Sequence, residues 1–160
     1  MPSQWAGDTG GLLPAQKVNA GLFAIVAALW ISAMLTPNLA TCAYGAPQWA
    51  PGYETLLTGW AGPLMVFWHP SFGMFAWYAN VFLGICMLQI LRGRAPPLHH
   101  AVTGSMLALT SFAPLYFYSD ARGEDALCGR GPGFWLWLSC FAITTVAALW
   151  EHSRWRPASA

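Results

Sequence analysis

Apolar residues are gathered into four long runs that contain no Asp, Glu, Lys or Arg. The runs cover residues 18–36, 72–91, 98–118 and 133–150. A helix rises about 1.5 Å per residue, so a run of about 20 residues matches the roughly 30 Å hydrocarbon layer of a bilayer. The pattern predicts an all-α fold: a polytopic membrane four-helix bundle formed by one domain at residues 18–150.

Basic residues mark the ends of these runs and indicate an orientation. Five of the seven fall on one side of the predicted layout: Lys17, Arg92, Arg94, Arg154 and Arg156. Because Lys and Arg are enriched in cytoplasmic loops, we expect both termini in the cytoplasm. Residues 1–17 then form an N-terminal cytoplasmic arm, residues 151–160 form a cytoplasmic tail, and the chain is a multi-pass protein of the bacterial inner membrane.

The composition agrees with a membrane protein. Of the 160 residues, 56% are hydrophobic and 8% are charged, whereas a typical soluble domain is about 25% charged. The net charge of +1 and the lack of a Lys/Arg cluster give no indication of nucleic-acid binding.

The first outer connection, Asn38–Pro70, contains many Pro and Gly residues. Within it, however, Tyr53–Trp68 is apolar and aromatic, which is not typical of a water-facing loop. We interpret this segment as an extra short interfacial helix that either lies on the outer membrane surface or re-enters it.

Small residues recur every four positions in the first run, at Ala20, Ala24, Ala28 and Ser32. Residues with this spacing share one face of a helix, where a smooth surface lets another membrane helix approach closely. Gly104 and Ala108 form a second small-residue pair in the third run. Both patterns favour contact between helices.

Two amides are the strongest polar groups inside the runs, Asn80 and Gln89. Each is expected to form a polar contact with a neighbouring helix. The lack of charged residues in the runs argues against an ion-coupled carrier. No nucleophile–base pair and no cluster of metal-ligand residues stands out, so we predict neither catalytic residues nor a metal site.

Aromatic residues concentrate toward the outer half of the runs. They form either an interfacial belt, as Trp and Tyr commonly do, or a groove for a lipid, quinone or carotenoid pigment tail or for a partner's helix. The candidate groove residues are Trp60, Trp68, His69, Trp77, Tyr78, Tyr116, Trp135 and Trp137.

Four cysteines divide by predicted position. Cys42 and Cys128 fall in the two outer connections, on the oxidising side, where a disulfide between them is expected. The alternative is that both are free thiols near the surface. Cys86 and Cys140 fall inside runs and are expected to be buried, small apolar residues.

Three pieces of the chain, GWAGP (59–63), FAWYAN (75–80) and GPGFWLWLSCF (131–141), resemble segments of small bacterial membrane proteins of unassigned role. That resemblance implies a four-span fold and no particular chemistry. The architecture also resembles the bacterial quinone-reducing enzymes that generate disulfides. That family carries two Cys in each outer loop, whereas this chain has one in each, so the thiol relay of that family cannot run here.

These observations favour an accessory or structural subunit of a larger membrane protein complex. It would pack through small-residue and aromatic helix faces against other integral membrane proteins and membrane lipids. Two alternatives remain open: a membrane thiol/quinone redox protein, and a binder of an apolar small molecule such as a lipid, quinone or carotenoid.

Overall fold

The computed structural model of the chain describes residues 14–43, 46–61, 72–113, 116–119 and 123–154. Five α-helices and two 3-10 segments are present among these residues. The helices are α1 (Pro14–Leu35), α2 (Gly52–Gly59), α3 (Ala79–Leu91), α4 (Leu98–Leu109) and α5 (Pro132–Arg154). The 3-10 segment Phe72–Tyr78 leads directly into α3, and the 3-10 turn Thr110–Phe112 directly follows α4.

Proline and glycine mark several helix boundaries. Pro37 follows the end of α1, where its ring and missing N–H prevent continuation of the helix. Pro132 occupies the first position of α5, where a missing N–H costs nothing. Between α3 and α4 the chain turns at Gly93, whose φ of 71° is accessible to glycine without a steric penalty.

A four-stranded antiparallel sheet joins the helices. Its strands are β1 (Pro37–Ala43), β2 (Ala46–Pro51), β3 (Tyr116–Ser119) and β4 (Gly123–Arg130), in the order β2-β1-β4-β3. β1 and β2 form a hairpin in which Thr41 pairs with Gln48. β1 also pairs with β4, Leu39 opposite Arg130. The sheet therefore links the connection after α1 to the connection before α5.

The long helices pack directly against one another. α1 contacts α3 and α5, and α4 contacts α3 and α5. The buried apolar side chains come from all four of these helices and include Val26, Ala33, Ala79, Leu83, Ala108, Phe134 and Phe141. The core thus lies between the helices, and the sheet lies at the end where α1 finishes and α5 begins.

The end of α1 and the start of α5 meet at backbone distance. A Cβ atom on Gly133 would lie 2.9 Å from the carbonyl oxygen of Ala33 and 2.8 Å from Oγ1 of Thr36. One residue before α5, the N–H of Gly131 donates to the carbonyl of Asn38 at 2.7 Å. Small residues at this junction are what allow β1 to continue beside the first turn of α5.

The predicted all-α four-helix membrane bundle is wrong in two respects. The outer connections pair into a sheet, because their backbone N–H and C=O groups find partners on each other's strands. Only one helix in the described part of the chain, α5 with 23 residues, is long and apolar enough to cross a membrane, by length and composition alone. Of its most apolar stretch, 39% is buried inside the protein.

The other predicted spans contain apolar helical stretches that are shorter than a membrane crossing requires. The apolar stretches Asn19–Leu35 and Phe75–Leu91 fall below the length of a candidate span. The run at 98–118 is divided, since α4 and its 3-10 turn end at Phe112 and β3 begins at Tyr116. The extra short helix predicted in Tyr53–Trp68 corresponds to α2, and residues 62–71 lie outside the described part of the chain.

Candidate functional site

Among the residues that the structure describes, the most connected group of polar and aromatic side chains is centred on Asn80, the second residue of α3. Its Oδ1 accepts hydrogen bonds from two indoles: Trp137 Nε1 at 2.9 Å and Trp30 Nε1 at 3.3 Å. Its Nδ2 donates to the carbonyl of Trp77 at 3.0 Å. We call Trp30, Trp77, Asn80 and Trp137 the Trp–Asn cluster. Because Trp30 belongs to α1 and Trp137 to α5, one amide joins three helices.

The cluster also holds α2. Trp77 Nε1 donates to the carbonyl of Leu56 at 2.6 Å. A Cβ atom on Gly59 would lie 2.6 Å from Cδ1 of Trp77, so α2 packs directly onto that ring. Tyr78 meets Trp77 edge to face, with ring centroids 5.2 Å apart. All the indole N–H groups of the cluster have acceptors, as buried Trp generally requires.

The structure divides the described members of the predicted groove between core and surface. Trp137 is 7% exposed and packs against Phe134 and Phe141. Trp135 and Trp60 are 52% and 56% exposed. Trp77 and Tyr78 are half-buried. The predicted groove residues Trp68 and His69 lie outside the described residues, as does the side chain of Tyr116 in β3.

The two amides predicted to make polar helix contacts differ. Asn80 makes the contacts given above, whereas the half-buried side chain of Gln89 has no hydrogen bond to any described residue. A second polar contact between helices was missed by sequence reasoning. Ser105 of α4 and Thr145 of α5 share a hydrogen bond of 2.7 Å, and Thr145 Oγ1 donates to the carbonyl of Ala101 at 3.1 Å.

A narrow crevice lies between α3, α4 and α5, and its lining residue Phe141 also packs against Trp137 of the Trp–Asn cluster. It encloses about 150 Å³ including its open mouth, and no part is wide enough for a water molecule. Its lining includes Cys86, His100, Gly104 and Phe141. His100 Nδ1 is buried without a hydrogen-bond partner, and the His99 and His100 rings stand 4.1 Å apart.

The disulfide predicted between Cys42 and Cys128 stays a prediction, because the structure does not describe the side chain of Cys42 in β1. Cys128 takes part in a disulfide. Cys86 and Cys140 are free and buried. Cys128 is not counted among the free thiols, and its Sγ lies 3.5 Å from the carbonyl oxygen of Ala40.

The arrangement defines a helical protein with a small antiparallel sheet, whose best-formed cluster connects helices rather than presenting reactive groups. No group of three or more His, Cys, Asp or Glu side chains that could hold a metal ion is found in the described part. No protein-family model, curated protein or solved structure matches the chain.

Proposed function

We propose that this chain is a multi-pass protein of the bacterial inner membrane that serves as an accessory or structural subunit of a larger membrane complex. It packs against other integral membrane proteins and lipids through the outward faces of its helices. α5 supplies one crossing, and the apolar stretches Asn19–Leu35 and Phe75–Leu91 are the next candidates to lie in the bilayer.

Large apolar side chains on the outside of the helices support a membrane setting. The exposed ones include Ile25, Ile31 and Leu35 of α1, Val81, Leu88 and Leu91 of α3, Met106 and Leu109 of α4, and Val146 and Leu149 of α5. Single exposed apolar residues are normal in soluble proteins, but faces of this kind on every long helix are not. In a bilayer, lipid acyl chains would cover these side chains, which would then not be exposed to water.

The charges at the two ends support an orientation. Arg92 and Arg94 are exposed in the turn between α3 and α4. Arg154, at the end of α5, lies 4.8 Å from the centre of the Trp150 ring. These groups share the end of the helices opposite the sheet. The basic end therefore faces the cytoplasm in this proposal, and the sheet lies on the outer side.

The single observation that carries the subunit role is the small-residue stripe of α1. Ala20, Ala24, Ala28 and Ser32 are all exposed. A Cβ atom on the adjacent Gly21 would have no atom of another described element within 4 Å. In a bilayer, helices associate where small residues let their backbones come close. A flat stripe that the described part of the chain does not use for its own packing is suited to a helix of another protein.

The test compares wild type with Ala28→Leu after extraction in a mild detergent. Wild type is expected to migrate on a native gel as part of a larger complex, and Ala28→Leu as the free chain with unchanged thermal stability. The matched control Ala142→Leu places the same side chain at an exposed position of α5 and should leave the complex intact. The proposal is contradicted if the wild-type chain migrates alone. It is also contradicted if the Ala28→Leu variant still migrates as part of the larger complex.

A further inference from the structure

Arg130 is a basic residue placed where the sheet meets the helices. It is the last residue of β4, two positions before α5 begins at Pro132. Its side chain is half-buried, and Nη2 donates to the carbonyl of Ser111 at 3.0 Å. The guanidinium carbon lies 5.0 Å from the centre of the Phe112 ring and 5.4 Å from that of Phe134. The group is therefore held in one orientation against two aromatic rings that also contact each other.

The charge of Arg130 is only partly compensated by these contacts. Neither of the two carboxylates whose side chains the structure describes, Glu54 and Glu151, pairs with it. Nε is buried without an acceptor. Nη1 donates to no described residue, and the side chain as a whole is only half-buried. The bond to Ser111 explains how Arg130 is positioned, but it uses one N–H of the five that a guanidinium offers.

The surface beside Arg130 is apolar. Phe112 is 44% exposed and Trp135 is 52% exposed, and their ring centroids are 6.1 Å apart. Leu109, one helical turn before Phe112, is also exposed. A fixed positive charge thus stands at the head of an apolar strip that runs along the helices. A phospholipid has the complementary layout, a phosphate above acyl chains.

We propose that Arg130, Phe112 and Trp135 form a binding site for an anionic phospholipid. The headgroup phosphate is bound by the guanidinium and an acyl chain lies along Phe112 and Leu109. A planar guanidinium suits phosphate oxygens, and an exposed Trp suits the headgroup level of a bilayer. The inference rests on the membrane placement proposed above, because only in a bilayer does Arg130 lie at headgroup depth.

The experiment measures thermal unfolding of the purified full chain in a maltoside detergent. Three additions are compared: dioctanoyl phosphatidylglycerol, dioctanoyl phosphatidylcholine and inorganic phosphate. For wild type we expect phosphatidylglycerol to raise the Tm by roughly 3–5 °C at saturation. Phosphatidylcholine and inorganic phosphate should each raise it by less than about 1 °C, since the site requires both net charge and a chain.

The decisive comparison is between variants. Arg130→Gln should abolish the response to phosphatidylglycerol whatever its effect on basal Tm, and Arg130→Lys should retain less than half of it. Arg92→Gln, an exposed Arg at the opposite end, should respond like wild type. If Arg130→Gln does not fold, Phe112→Ala and Trp135→Ala take its place, with at least a halved response expected in each.

An undiminished response in the Arg130 variants, or in both aromatic variants, overturns the inference. So does an equal response to phosphatidylcholine or to inorganic phosphate alone. Extraction of membranes with alkaline carbonate separates this failure from that of the proposed function. If the chain stays in the membrane but shows no lipid response, only the proposed lipid site is contradicted. If the chain is washed off the membrane, the proposed membrane location is contradicted as well.

Discussion

Two small-residue stripes in this molecule have different fates. On α4, Gly104 and Ala108 are buried, and a Cβ atom on Gly104 would lie 3.1 Å from Cβ of Phe82 and 3.5 Å from the Phe141 ring. On α1, the stripe from Ala20 to Ser32 is exposed, and a Cβ atom on Gly21 would have no atom of another described element within 4 Å. The spacing of small residues therefore predicts a face for close helix packing. It does not indicate whether the packed helix belongs to the same chain or to a partner. The protein itself fills the first, and we propose that a partner fills the second.

The largest expected contrast is between two tryptophans of α5. Trp137→Ala should lower the free energy of unfolding by about 3–5 kcal/mol, because it empties a core position and removes a hydrogen bond to Asn80. Trp135→Ala should lower it by less than about 1 kcal/mol, because this ring is half exposed. Denaturant titration in detergent, followed by circular dichroism, measures both. Equal losses would mean that the inward and outward faces of α5 are misassigned.

The glycines of the two stripes provide the next contrast. Gly104→Leu should lower the free energy of unfolding by about 3 kcal/mol, since the new side chain must displace Phe82 or Phe141. Gly21→Leu should change it by less than about 0.5 kcal/mol, since the position is open. The same titration applies. A large loss for Gly21→Leu would show that the α1 stripe is occupied within the chain.

The two amides of α3 sharpen the account of the Trp–Asn cluster. Asn80→Leu should lower the free energy of unfolding by about 2 kcal/mol, because the Trp30 and Trp137 N–H groups lose their acceptor. Gln89→Leu, which breaks no side-chain hydrogen bond to a described residue, should change it by less than about 0.5 kcal/mol. The pair is compared in one denaturant series. If Gln89→Leu lowered the free energy of unfolding as much as Asn80→Leu, the hydrogen bonds of the Trp–Asn cluster would not be the cause of the Asn80 effect.

The smallest expected effect concerns the contact between α4 and α5. A double-mutant cycle with Ser105→Ala and Thr145→Val should give a coupling of about 0.6 kcal/mol, the average for such hydrogen bonds between membrane helices. Additive single effects would show that the bond between Ser105 and Thr145 contributes nothing to holding the helices together.

Hydropathy predicts the helices better than it predicts their connections. The runs at 18–36, 72–91 and 133–150 each contain a helix. Such long apolar segments are recognised from their length and composition, without a periodic pattern. The sheet could not be predicted, because Pro37, Pro47 and Pro51 in β1 and β2 favour a loop. Pairing of β1 with β4, in which Leu39 lies opposite Arg130 about 90 residues along the chain, is a long-range contact that no local pattern reveals.

The Trp–Asn cluster could be predicted only in part, because its contacts also join segments that are distant along the chain. A polar residue within an apolar run, such as Asn80, indicates a contact with another helix, but the identity of the donors depends on how the helices rotate. Arg130 gave no local signal at all. Its significance depends on Ser111, Phe112 and Phe134, which the fold gathers from α5 and from the turn after α4.

The central claim is that another membrane protein occupies the α1 stripe, and site-specific photo-crosslinking tests it most directly. A photoreactive residue is placed at position 28 on the exposed stripe and, as a control, at position 108 on the buried one. The account predicts that position 28 crosslinks one discrete, different membrane protein in intact cells, while position 108 gives only the chain itself. Crosslinking at position 28 to lipid alone, or to no other protein, would contradict it.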